Sequence, residues 1–111
     1  MMTRQFIIME VFDRLWDSMN LDDDNLRELQ SILTVNPHKG DIIVGTGGAR
    51  KIRSALPDTG KSGGIRVIYF DKAHMQKLYL LLCYPKSKQD DLTPEQKRQL
   101  KKAIETLKGE R

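Results

Sequence analysis

Apolar positions along the chain fall into two rhythms. After a short apolar stretch from Gln5 to Met9 that reads as an opening strand, Val11, Phe12, Leu15, Trp16 and Met19 recur at the three- and four-residue spacing of one helix face. Trp16 belongs to that stripe and is expected to anchor a core. A second stripe, Leu26, Leu29, Ile32 and Leu33, follows Asp22-Asp23-Asp24, whose carboxylates suit the cap and first turn of a helix. Asn36-Pro37 and the polar run to Asp41 end it, because proline disfavours helical geometry in the residue before it. From there the rhythm shortens. Residues 42–44, 50–55, 65–70 and 77–84 read as four strands joined by glycine-rich or polar turns, and links so short make neighbouring strands antiparallel. Thr93-Pro94-Glu95-Gln96 opens a last helix with Thr93 as N-cap, Pro94 at the first helical position and Gln96 completing a capping box. Leu100, Ala103, Ile104 and Leu107 are its apolar stripe, with Lys97, Arg98, Lys101 and Lys102 mostly off it.

A length of 111 residues matches one compact domain, and no repeat, linker or low-complexity tract divides it. The single cysteine, Cys83, lies in an apolar run where a thiol acts as a small hydrophobe, so no disulfide forms within the chain, in keeping with a reducing cytosol. The apolar residues from Phe6 to Met9 are too few for a signal sequence, and a cytoplasmic protein without membrane contact is expected.

Charge adds a division that hydropathy does not show. Residues 1–35 hold three Arg against seven acids, a net of −4, while residues 36–111 hold sixteen Lys or Arg against eight acids, a net of +8. With a sequence pI near 9.3, the basic part favours a polyanionic partner such as nucleic acid. The cations concentrate in Arg50-Lys51-Ile52-Arg53 and in Gly64-Ile65-Arg66. On a strand Lys51 and Arg53 share a face, and an antiparallel neighbour adds Arg66, which outlines a phosphate site; a solvated sheet face is the plainer alternative.

Other motifs carry less. Ala55 to Ser62 fits a relaxed P-loop spacing, but Gly63-Gly64 and a strand follow where the lysine and serine of a P-loop open a helix. The Asp22 to Asp24 cluster has no glycine-bearing calcium loop behind it and reads as caps. His38 and His74 have no cysteine or second histidine at ligand spacing, so no metal site is expected, and no serine or cysteine has an evident base beside it.

Taken together, Asn36-Pro37, Gly40-Asp41, Gly45-Thr46-Gly47-Gly48, Arg50-Lys51-Ile52-Arg53, Gly63 to Tyr69, Leu80-Leu81, Tyr84-Pro85-Lys86 and the Asp91-Leu92-Thr93 helix entry resemble the RelE/HigB family of bacterial toxins, most closely its HigB-type branch. The resemblance implies an α+β domain over residues 1–111: an antiparallel twisted sheet with two N-terminal helices and one C-terminal helix. It also implies a type II toxin that acts as a ribosome-dependent, metal-independent endoribonuclease, or mRNA interferase, cutting mRNA in the A site of the 70S ribosome without a cofactor. Implied partners are mRNA, ribosomal RNA and a cognate HigA-like helix-turn-helix antitoxin, through which alone the toxin would meet operator DNA. By resemblance, Lys51, Arg53, Arg66 and Lys86 are the catalytic positions. Arg66 and Arg53 would clamp the scissile phosphate, and Lys51 or Lys86 would move a proton or act electrostatically. Arg50, Lys61, Tyr84 and Lys88 are the expected RNA contacts. The chain departs from the best-known RelE members near the last helix, where Asp90-Asp91-Leu92 stands in place of a substrate-stacking tyrosine; Tyr84 is the nearest aromatic. A non-catalytic basic module that binds RNA or the ribosome is the alternative, and an inactive relative serving only as an antitoxin-bound regulator is a third.

Overall fold

The computed structural model describes residues 3–54, 64–89 and 91–110; the P-loop-like segment and Lys61 lie outside them. Three helices and five strands follow in the order β1 (Gln5–Ile8), α1 (Glu10–Ser18), α2 (Asp23–Val35), β2 (Asp41–Ile42), β3 (Arg50–Ser54), β4 (Ile65–Lys72), β5 (Lys77–Pro85) and α3 (Pro94–Gly109), with one 3-10 turn at Ala73–Met75. Both expected caps form. Asp22 accepts from the Asn25 amide at 2.9 Å while the Asn25 side chain accepts from the Asp22 amide at 3.1 Å. Thr93 and Gln96 make the same reciprocal pair at 3.1 and 3.0 Å, so each helix begins with two of its otherwise orphaned amides satisfied.

The strands make one sheet in the order β1-β5-β4-β3-β2. The pairs β2–β3, β3–β4 and β4–β5 are antiparallel, and β1 closes one edge parallel to β5. A parallel pair needs a long crossover, and everything from α1 to β4 supplies it. Between Ile68/Tyr69 on β4 and Leu80/Leu82 on β5 the register slips by one residue, a β-bulge.

Both sheet faces are covered, which explains why β4 and β5 are apolar almost throughout. On one face Phe12 and Trp16 of α1, stacked at 5.4 Å between ring centroids, join Leu29 and Leu33 of α2 over Ile52, Ile65, Val67, Tyr69, Leu78, Leu80 and Cys83. On the other, Leu100, Ile104 and Leu107 of α3 cover Ile68, Phe70, Tyr79, Leu81 and Tyr84. Lys72, buried at the end of β4, donates to the carbonyls of Leu107 and Glu110 and ties down the end of α3.

One expected strand differs. The sequence predicts a strand over residues 42–44, yet β2 holds only Asp41 and Ile42, and Ile42 and Val44 are exposed. A glycine turn takes over: Thr46 is buried, donates to the Ile43 carbonyl at 2.7 Å and accepts from the Ala49 amide at 3.0 Å. Gly48, at φ +125°, lies where a Cβ would come within 3.3 Å of the Phe70 ring. Gly40 sits still closer to β3, since a Cβ there would be 2.8 Å from the Lys51 carbonyl oxygen. This close approach seats the loop before β2 against the cationic strand.

Candidate nucleic-acid interface

The β3–β4 register decides which cations meet. Arg53 lies directly opposite Arg66 and Lys51 opposite Ile68. Ile52 points into the α1–α2 core, so the period of two turns Lys51 and Arg53 to the α3 side, where Arg66 shares a face with Ile68 and Phe70. Tyr84 extends this row, being the partner of Arg66 across β4–β5. Three of the four expected catalytic cations thus stand on one patch of one face, a separation of thirteen residues having been closed by strand pairing.

A carboxylate belongs to the patch as well. Lys51 Nζ lies 3.6 Å from Asp91 Oδ1, just before α3. The Leu92 amide, which donates to Asp91 at 2.9 Å, and the charge of Lys51 hold the Asp91 carboxyl below its ordinary range. Tyr84 is buried and, among the described residues, its hydroxyl has no hydrogen-bond partner. Burial raises the phenol pKa above its usual value, the Asp91 charge adds to the rise, and Arg66 opposes it.

The remaining expected residues are placed differently. Arg50 turns to the opposite face, where its Nη1 donates to the Gly40 carbonyl at 2.8 Å and the His38 carbonyl at 3.4 Å. Lys86 and Lys88 are exposed in the turn after β5, their amides donating to the carbonyls of Gly64 at 3.1 Å and Pro85 at 3.0 Å. The Gly64 contact keeps Lys86 at the Arg66 end of the sheet. Behind the patch a second polar set fastens the loop after α2: the Tyr69 hydroxyl donates to the Pro37 carbonyl and accepts from the Gly40 amide, at 2.8 and 2.9 Å. Asp71, its side chain 2% exposed, accepts from Arg4 Nε at 2.7 Å and lies 3.2 Å from His38 Nε2.

This order of elements has known counterparts. A family model described as the RelE toxin of the RelE / RelB toxin-antitoxin system matches residues 5–110. The chain belongs to the RelE toxin family. Among solved structures it is similar to the free state of an E. coli RelE toxin mutant in which two arginines are replaced by alanine, with a TM-score of 0.54 and 14% identity over 80% of this chain and 90% of that one. At that identity the likeness is one of fold. Against it, the RelE-family chain described here presents a row of two guanidinium groups, a lysine, a tyrosine and an aspartate on the α3 side of its sheet. Planar guanidinium forks suit the paired oxygens of a phosphodiester, and the ammonium adds a point charge beside them. The sequence marks Asp91 only as part of a helix entry; forty residues separate it from Lys51, and no local pattern links them. Among the described residues no helix is long and apolar enough to cross a membrane.

Proposed function

We propose that this RelE-family chain is the toxin of a type II pair of the HigB kind and an endoribonuclease that cuts mRNA in the A site of the ribosome. The observation that carries the reading is the convergence of Lys51, Arg53 and Arg66 on one sheet face. Arg53 lies directly opposite Arg66, and two planar forks on one face suit the paired oxygens of a phosphodiester. In the reaction the ribose 2′-oxygen loses its proton and attacks the adjacent phosphorus. The bond to the 5′-oxygen breaks, that oxygen takes up a proton, and a cyclic phosphate and a 5′-hydroxyl result. Negative charge grows on the pentacoordinate phosphorus, and in this reading Arg53 and Arg66 offset it. Lys51 and Lys86 are the candidates for moving the protons. Lys88 and Lys61 are assigned to RNA backbone contacts; Arg50, facing the other side of the sheet with its guanidinium on the Gly40 and His38 carbonyls, is not. A HigA-like helix-turn-helix antitoxin is the proposed protein partner, and it carries the toxin to operator DNA; the site of action is cytoplasmic.

Primer-extension mapping of a defined mRNA on programmed 70S ribosomes tests the reading, with wild type and Arg66→Ala side by side and a chelator present. Cuts inside the A-site codon that require ribosomes, persist in chelator and vanish in the variant are expected. Intact mRNA with translation still blocked overturns the nuclease and leaves a non-catalytic RNA-binding or ribosome-binding module.

A further inference from the structure

A buried hydroxyl without a partner is uncommon, because it has given up its hydrogen bonds to water and gained none in return. Tyr84 carries such a hydroxyl in surroundings that phenylalanine would fill equally well, among Ile68, Phe70, Leu81 and Leu92. Its position is what distinguishes it. Tyr84 is the cross-strand partner of Arg66, on the face that holds Lys51 and Arg53. Two charges act on the phenol, Arg66 from β4 and Asp91 from the entry to α3. Asp91 is held in turn by Lys51 at 3.6 Å, a long contact made by a carboxylate side chain that is 66% exposed. So loose a surface pair contributes little stability and exchanges readily for another anion. Leu92, the next residue, packs in the same cluster as Tyr84, so the Asp91 segment and the hydroxyl are neighbours.

We propose that the Tyr84 hydroxyl is a substrate-binding group that donates a hydrogen bond to the phosphate held by Arg66, and that Asp91 is the anion Lys51 keeps until that phosphate displaces it. This rests on the reading of the cationic face as a phosphodiester site; it gives Tyr84, an expected RNA contact, a defined atom and role and adds an order of events. The phenol stays protonated, as a donor must, because burial raises its pKa. Release of Asp91 by Lys51 frees the segment next to the hydroxyl when the substrate arrives, so the hydrogen bond missing in the free protein forms in the complex.

The test is Tyr84→Phe, measured three ways: thermal melting, single-turnover cleavage on programmed ribosomes, and affinity for a single-stranded RNA oligonucleotide with a 2′-deoxy substitution at the cleavage position, read by fluorescence anisotropy. The expected variant melts at or above the wild-type temperature, since it loses no native hydrogen bond, and cleaves about tenfold to a hundredfold more slowly. Asp91→Asn is expected to bind the oligonucleotide several-fold more tightly. Wild-type cleavage by Tyr84→Phe overturns the inference while leaving the nuclease standing, and so does a fall in melting temperature of several degrees, which would show a structural partner for the hydroxyl. If the wild type binds the oligonucleotide but does not cut, the nuclease reading fails alone. Affinity then decides: several-fold weaker binding by Tyr84→Phe supports the inference, whereas equal binding ends it; a wild type that neither cuts nor binds ends both readings.

Discussion

At the junction of β3 and β4, two guanidinium groups face each other across a strand pair, and what each does can be separated by substitution. Arg66→Ala removes a fork and its charge from a half-buried position, whereas Arg66→Lys keeps the charge and loses the planar fork. Cleavage is expected to fall about 10²- to 10³-fold for the alanine variant, with partial recovery in the lysine variant; single-turnover kinetics on programmed ribosomes reads this directly. Equal activity of all three proteins would remove Arg66 from the site. Trp16 shows the opposite balance. It is buried, stacked on Phe12, and donates its indole N–H to the Asp22 carbonyl at 3.3 Å, linking α1 to the start of α2. Trp16→Ala is expected to cost about 3 to 5 kcal/mol in urea unfolding followed by far-ultraviolet circular dichroism. A loss below about 1 kcal/mol would mean that the core closes around the missing ring.

Among the elements, α3 links fold to site most directly. Its N-terminus follows Asp91 and its C-terminus is fastened by Lys72 to β4, so the helix spans from the cationic patch to the far end of the sheet. Thr93→Ala removes the cap from the Gln96 amide and is expected to cost about 1 kcal/mol, read as a lower urea midpoint at unchanged slope. The midpoint should instead hold if another group caps the helix. The helices were legible in the sequence because their signals are local: stripes at helical spacing, Asp22 and Thr93 at the caps, and proline past the end of α2. The cationic face was legible for a similar reason, since alternation put Lys51 and Arg53 together and a glycine-flanked neighbour put Arg66 beside them. The same alternation sends Arg50 to the other face, which grouping residues 50–53 as one basic run obscured. Asp91 beside Lys51, the parallel pairing of β1 with β5 and the bulge at Leu81 depend on contacts between distant segments and leave no periodic trace. Ile42 and Val44 are apolar yet exposed, because the glycine turn rather than hydropathy sets where β2 ends.

For the whole molecule, charge and burial set two bulk responses. The acidic helices α1 and α2 lie on one side of the sheet and the cationic row with α3 on the other, so binding to single-stranded RNA should weaken with salt in proportion to the phosphates neutralised. Lys51, Arg53 and Arg66 should contribute about −2 to the slope of log K against log salt, and the triple alanine variant should be shallower by that amount; a wild-type slope near zero would exclude the row as the contact. Alkali tests the core instead. Burial pushes Cys83 from 9.0 up to about 12 and raises Tyr69, Tyr79 and Tyr84 above 10.0. Above pH 9 the unfolded chain therefore gives up protons that the folded chain keeps, and stability must fall as pH rises. The stabilisation is complete below pH 9.0 and is lost towards about pH 12 for the thiol, each group contributing a slope of at most about 1.4 kcal/mol per pH unit. Urea midpoints should hold to pH 9, decline from there, and steepen past 10 as unfolded tyrosines ionise. Cys83→Ala should delay the onset by about one pH unit, because its thiol is the first group to titrate in the unfolded chain and the phenols follow. A midpoint that stays level to pH 10 in the wild type would place Cys83 within reach of water and contradict its burial beneath α1.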